Sequence, residues 1–364
     1  MSRRLRIGVI FGGTSGEHDI SLLTARGVLG AIDTSRYEVV PIGIARTGAW
    51  SVGDDVLDRL SLEAETSRDA VSASPLDKPE SSAGTIGAMA EALALLSNAG
   101  VDAVFPLLHG PMGEDGTLQG LLEFCGVPYV GCGVAASAVA MDKGLAKDVF
   151  RSNSIPTLPW IMVQRGKWKG RREHTLDDLE SSFSYPLFVK PANLGSSVGI
   201  SRAGNRDELA AGLDLAARYD ERLLVEPGID AREIEIAILG NSEPQASVPG
   251  EIRPHRDFYD YKAKYFDDAT ELIVPAVLED SLSGGLQELA VQSFEALACS
   301  GIARVDFLLE RGTNKAYISE VNTMPGFTES SMYPRLWEAS GIAYSQLIDR
   351  LLKLALELRG RGVV

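Results

Sequence analysis

The stretch Ala303–Asn322, ARVDFLLERGTNKAYISEVN, holds two apolar runs joined by the polar turn RGTNK, and it reads as a β-hairpin. Residues two apart in a strand share a face, so Arg304 points with Asp306 and Glu320 points with Asn322. A turn centred on Thr313 sets Asp306 opposite Glu320 and Arg304 opposite Asn322, while Val305, Phe307 and Val321 face a core. A solvated strand face with one ion pair would look similar. Asp and Glu directly across a ladder repel, however, unless a cation lies between them. Carboxylate and amide oxygens without His or Cys suit magnesium, which keeps waters and is shared with substrate phosphates. Just beyond, the Pro325-Gly326 turn brings a bare Gly326 N–H toward this face, where it can meet a developing oxyanion.

Phosphate needs cations, and lysines stand beside strands or glycine loops in three other segments: Lys143, Lys190 and Lys264. Lys190 opens KPANLGSSVG, a Gly/Ser stretch that follows the apolar run PLFV. A linker would have this composition, but a lysine and a proline at its head suit a flap over phosphate. No GxxxxGK[ST] or GxGxxG occurs, so this is not a Walker or dinucleotide loop. A lone lysine is ordinarily a solvated charge; three at such places, with an acidic oxygen face, point to a nucleoside triphosphate site.

The 364 residues exceed one core, and 45% hydrophobic with 23% charged residues describe an ordinary globular protein. A net charge of −15 argues against a nucleic-acid partner. No apolar run is long enough to cross a bilayer, which argues against a membrane partner. The basic N-terminus runs straight into a strand without an export signal, so the expected location is cytoplasmic. Cys125, Cys132 and Cys299 form no CxxC pair and read as free thiols. RLRIGVIFGG, YEVVPIGIA and VDAVFPLLHG read as strands alternating with helices, an α/β Rossmann-like domain over residues 1–140 with a variable insertion about 61–88. Residues 141–224 read as a small central α+β domain. Residues 225–364 read as a C-terminal α+β domain with a lid about 253–270.

Seven segments together are highly specific: FGGTSGEHDIS, LLHGPMGEDGTLQGLLE, MDK, FVKPANLGSSVGIS, VEPGIDAREIEIAILGN, FYDYKAKY and RVDFLLE…EVNTMPGFTESSMYP. In order and spacing they resemble the D-alanine–D-alanine ligases of the ATP-grasp superfamily, over essentially the whole chain. The resemblance implies a three-domain enzyme holding ATP between its last two domains. It also implies ligation of two D-alanines through a D-alanyl phosphate, with two magnesium ions (manganese as a substitute), for peptidoglycan precursors, in a homodimer. Position by position it implies that Glu17 holds the first ammonium, and that Lys143, Lys190, Ser197 and the lid's Lys264 serve ATP. Glu226 and Glu233 are the nucleotide-side acids, and Pro227, Gly228 and Ile229 form the adenine hinge. Asp306, Glu320 and Asn322 are implied as metal ligands, and Arg304 and Gly326 as oxyanion donors. Ser331 and Met332 fall at the second carboxylate, and Ser196 and Tyr265 bond toward Glu17. Pro227 departs from relatives with lysine or glutamine there, because proline offers no donor. His109 and the acyl phosphate both stay open as acceptor of the second amine's proton. A D-lactate or D-serine ligase, another ATP-grasp ligase and a nucleotide-binding regulatory module are the alternatives.

Overall fold

The computed structural model describes residues 3–70, 86–254 and 270–360. Lys264, Tyr265 and nearly all of the expected lid lie outside the described residues, as do residues 71–85 of the expected insertion.

The first sheet has strands β1 (Leu5–Gly12), β2 (Tyr37–Ile44), β3 (Trp50–Val52) and β4 (Ala103–Pro106), in the order β3-β2-β1-β4. β1 runs parallel to both β2 and β4, as strand–helix–strand alternation requires. The short β3 folds back antiparallel on β2, and three residues are too few to show a period in the sequence. At the end of β1 the chain turns at Gly12, whose φ is +93°. A β-carbon there would stand 2.2 Å from the Ile44 carbonyl oxygen, so only glycine lets the turn pack on β2. That turn aims the next loop so that Glu17 stands at the N-terminus of helix His18–Ala31. Residues 61–70 continue helix Val56–Ala70, which buries Val56, Leu60 and Ala64 at helical spacing.

The second sheet is antiparallel throughout: β5 (Ile161–Gln164), β6 (Leu187–Pro191), β7 (Ser201–Ala203) and β8 (Arg222–Pro227), ordered β5-β8-β6-β7. Its apolar face, including Leu187, Val189 and Leu223, packs on Trp168, Leu209 and Leu213 from the covering helices. Helix Arg206–Ala216 starts at Asn205, whose side chain accepts the Glu208 N–H. Lys190 and Glu226 come from the adjacent strands β6 and β8, with Phe188 paired to Glu226 and Lys190 to Leu224.

The third sheet holds β9 (Ala231–Gly240), β10 (Gln245–Ala246), β11 (Gly250–Pro254), β12 (Thr270–Ile273), β13 (Gly301–Glu310) and β14 (Ala316–Asn322). Its order is β12-β11-β9-β13-β14, with β10 on β9. The hairpin forms with Asp306 opposite Glu320 and Arg304 opposite Asn322, the register that alternation demands. A bulge follows, pairing Phe307 with Ile318 and leaving Ser319 extra, so the turn end departs by one residue from a ladder centred on Thr313. The shift has a packing reason: Phe307 and Ile318 are both buried, whereas an unbulged ladder would set Phe307 against a serine. β9 lies on the other side of β13, so rows cross three strands. Ile236, Val305 and Val321 share a core row, and Glu235, Asp306 and Glu320 share the next.

The core face of this sheet packs on helix Asp280–Ala296 through Leu286, Ala290 and Phe294, and on Phe150 of helix Lys143–Ser152. A separate core joins the first sheet to helix Tyr344–Gly360 through Leu347, Ile348, Leu351 and Leu352, with Tyr333 and Trp337 between. Removing the fully buried Phe294 ring leaves a cavity beneath the hairpin. Phe294→Ala is expected to lower unfolding free energy by about 3–5 kcal/mol, read from urea titration.

Candidate active site

A cavity of about 480 Å³ opens where the glycine turns, the Gly/Ser loop and the third sheet meet. Among residues singled out by sequence, Glu17, His109, Lys143, Ser196, Arg304, Glu320, Asn322, Gly326, Ser331 and Met332 line it. Asp306 is not among the lining residues; both of its oxygens accept from Arg304, which is. Lys190, Ser197, Glu226, Pro227, Ile229 and Glu233 do not line this cavity. They belong to the second sheet, the flap, the loop after β8 and the first residues of β9.

Arg304 is only 5% exposed and forms a two-pronged bond to Asp306, Nε and one terminal nitrogen each at 2.6 Å. The Glu235 carboxylate approaches the same Nε at 3.1 Å from β9. One buried guanidinium thus meets carboxylates from its own strand and the next, which fixes its plane in a way that a lysine could not. Glu320 completes the acidic row, and the Asn322 side-chain oxygen accepts the Met324 N–H at 2.9 Å. Glu235 was not legible as a site residue; its only signal is a pair of glutamates two apart in the apolar run of β9.

This donor set fits magnesium. Asp306 and Glu320 face each other across the ladder, Asn322 stands two pairs along on the same face, and all three carry hard oxygens. Among the described residues no group of three or more His, Cys, Asp or Glu gathers for a metal. Two carboxylates and an amide are what an ion completed by phosphate and water would use.

Lys143 begins helix Lys143–Ser152, where Asp142 accepts the Leu145 N–H at 2.9 Å. A cation at a helix N-terminus is electrostatically out of place, which favours a ligand-directed role. Its Nζ donates to the flap carbonyl of Leu194 at 2.6 Å and stands 3.8 Å from Glu320. Burial pushes this ammonium down, with Glu320 opposing. Lys190 Nζ lies 2.5 Å from one oxygen of Glu226, and Lys147 Nζ lies 2.8 Å from the other. Burial pushes the Glu226 carboxyl up, but the two lysines outweigh it and hold it at about 2. Lys147 also escaped the sequence reading, although it stands four residues after Lys143 on one helix face.

The flap crosses to the loop that follows β1. Ser196 donates to the Glu17 carboxylate. Ser196 and Ser197 both have left-handed backbones, φ 51° and 58°, at a cost of about 1–2 kcal/mol each. Such strain persists where surrounding contacts over-determine it, and the bond to Glu17 is one such contact. Room for the Glu17 carboxylate depends on Gly110, where a β-carbon would stand 2.8 Å from it. The loop that carries Gly110 is tied down by Ser15, which donates to the His109 carbonyl at 2.7 Å, and by the Gly110 N–H on Glu114 at 2.9 Å. His109 places Nδ1 3.2 Å from the Met324 carbonyl. On the far wall, Ser331 stands at the N-cap of helix Met332–Ala339, and its hydroxyl accepts the Thr328 N–H at 3.1 Å. A helix N-terminus offers free N–H groups to a carboxylate.

The hinge after β8 starts at Pro227, paired with Leu187, and the Gly228 N–H donates to the Pro186 carbonyl at 2.7 Å. Cys132 and Cys299 are buried and Cys125 half-buried, all as free thiols.

Residues 6–132 match the family model for the D-ala D-ala ligase N-terminus, and residues 149–353 match that for its C-terminus. The chain is 49% identical over 350 residues to the D-alanine--D-alanine ligase of Heliobacterium modesticaldum, covering 96% of this chain and 94% of that one. It is 45% identical to the enzyme of that name from Natranaerobius thermophilus, covering 97% and 95%. Among solved structures, the D-alanine-D-alanine ligase from Coxiella burnetii superposes with a TM-score of 0.78 at 36% identity, covering 99% of this chain and 96% of that one. The VanG D-Ala:D-Ser ligase from Enterococcus faecalis gives 0.80 at 33% identity, covering 97% and 100%.

The Glu226 carboxyl sits below its ordinary 4.5 in the folded chain, so its stabilising effect is present above pH 4.5 and is lost as pH falls toward about 2. The excess stability of the wild type over Glu226→Gln is therefore expected to be on the order of a few kcal/mol at pH 7 and to shrink across that window. Parallel denaturant titrations from pH 7 to pH 3 check this.

Proposed function

From the premise that this chain belongs to the D-alanine–D-alanine ligase family, we propose how its residues divide the work of joining two D-alanines with ATP. The enzyme is an ATP-dependent ligase of the ATP-grasp fold that releases ADP and phosphate and serves peptidoglycan precursor synthesis. The observation that carries the division of roles is the convergence on one cavity of Glu17, bonded to the flap's Ser196, with Arg304 and Glu320 from the third sheet.

In this reading Glu17 holds the ammonium of the first D-alanine, leaving its carboxylate to attack the γ-phosphate. Both reactants are anions, so Lys143, Lys190, the lid's Lys264 and Arg304 offset their repulsion. When bound by Asp306, Glu320 and Asn322, magnesium neutralises and orients the phosphate oxygens. Pro227, Gly228 and Ile229 flank adenine through backbone groups, Ser197 serves the phosphates, and Glu226 and Glu233 lie on the nucleotide side.

The first step gives an acyl phosphate and ADP. The amine of the second D-alanine then attacks the acyl carbon, and charge gathers on the former carbonyl oxygen. Arg304 and the Gly326 N–H donate to that oxygen. A β-carbon at Gly326 would stand 3.2 Å from the Ser331 hydroxyl, so glycine keeps this donor close to the second substrate's seat. Ser331, the helix N-terminus behind it and Met332 hold the second carboxylate. Water would destroy the acyl phosphate, and the flap, with Tyr265 completing the bonds to Glu17, excludes it. Because ATP is consumed, the setting is the cytoplasm, and the family resemblance carries a homodimer with it. Among the described residues no helix is long and apolar enough to cross a membrane.

ADP release is expected to require both D-alanine and a divalent cation, and excess EDTA should abolish it. A coupled ADP assay checks this, and D-serine or D-lactate offered as second substrate separates the dipeptide former from its relatives. Arg304→Ala is expected to lower kcat by about 10²–10³ or more while ADP binding by calorimetry stays measurable.

A further inference from the structure

One buried charge has no part in the chemistry above. Lys147 is 3% exposed, and its Nζ donates to Thr157 Oγ1 at 2.9 Å and to the Leu158 carbonyl at 3.2 Å while pairing with Glu226 at 2.8 Å. The Trp160 ring lies 5.6 Å away on a further side. Glu226 is itself 3% exposed, and its other oxygen holds Lys190. The two lysines differ in reach. The Lys190 side chain is 15% exposed and the Lys147 side chain 4%, so Lys190 stands on the open side of the carboxylate and Lys147 on the sealed side.

A buried carboxylate cannot release its sole counter-ion without a large penalty, because an unpaired charge is left in a poorly solvated site. If Lys190 were the only partner, each nucleotide that drew it onto phosphate would strand Glu226. We propose that Lys147 is a positioning residue that stays as the permanent counter-ion of Glu226 and so frees Lys190 to move to the ATP phosphates; this rests on the ATP role given to Lys190 above. Helix Lys143–Ser152 carries both Lys143 and Lys147 at i and i+4, so one face supplies a phosphate-directed cation and, a turn later, the cation that releases another.

The test is a double-mutant cycle of Lys147→Met and Glu226→Gln, read as KM for ATP, KM for D-alanine and ADP affinity by calorimetry. In the wild-type background Lys147→Met should raise KM for ATP and weaken ADP at least about tenfold, with KM for D-alanine nearly unchanged. In the Glu226→Gln background the same change should cost less than about twofold, because no carboxylate is left to hold Lys190. An unchanged KM for ATP, equal rises in both KM values, or the same penalty in both backgrounds overturns the proposal. A second variant covers the case in which Lys147→Met fails to fold. Lys190→Met leaves Glu226 its permanent partner, so it should fold with a melting temperature within about 4 °C of the wild type while losing ATP affinity. Loss of folded Lys190→Met protein overturns the proposal. Wild-type ADP release without any need for D-alanine would refute the ligase reading and leave the cycle in ADP affinity intact, so the two failures are distinguishable.

Discussion

Three carboxylates, Glu235, Asp306 and Glu320, stand in one row across adjacent strands, and a single buried guanidinium is set among them. Like charges at ladder spacing repel, so cations in that row stabilise the third sheet. Arg304 supplies one from within the fold. The Lys143 ammonium stands 3.8 Å from Glu320, so the row meets cations from two elements. The neighbouring row of Ile236, Val305 and Val321 pays for this arrangement through burial. The same strands thus secure the core on one face and gather charge on the other.

The second sheet and helix Lys143–Ser152 hold the complementary array. Lys147 and Lys190 share Glu226, and Lys143 stands across from Glu320 within reach of the flap carbonyl of Leu194. A chain of net charge −15 therefore gathers three lysines within one small region. In a site screened from water, such charges act far more strongly than on the surface. The Gly/Ser flap links these groups to the loop after β1: Lys143 donates to its Leu194 carbonyl while Ser196 bonds Glu17. Small residues with left-handed backbones suit a loop that closes over a ligand and opens again.

Much of the hairpin was legible because strand alternation has a strict period of two. The pairs Asp306–Glu320 and Arg304–Asn322 follow from that period and one turn. The bulge at Ser319 was not, since only the contact between Phe307 and Ile318 in the finished core selects it. Lys147 and Glu235 were missed for a related reason. Each sits at an unremarkable place in its own segment and matters only through a partner far along the chain, Glu226 for one and Arg304 for the other. Glu17 meeting Ser196 came from family resemblance, because no local pattern connects residues 179 positions apart.

By itself the sequence determined the family, the alternating strand faces and the residue types able to carry phosphate and acyl chemistry. Those follow from local sterics, periodicity and side-chain chemistry, which act over a few residues. The tertiary structure decided which charges share a site: that Glu226 has two lysines, that Arg304 is gripped from two strands, and that flap, helix start and hairpin open on one cavity. Electrostatic pairing depends on distance through space and on exclusion of water, and neither is defined until the three sheets have packed.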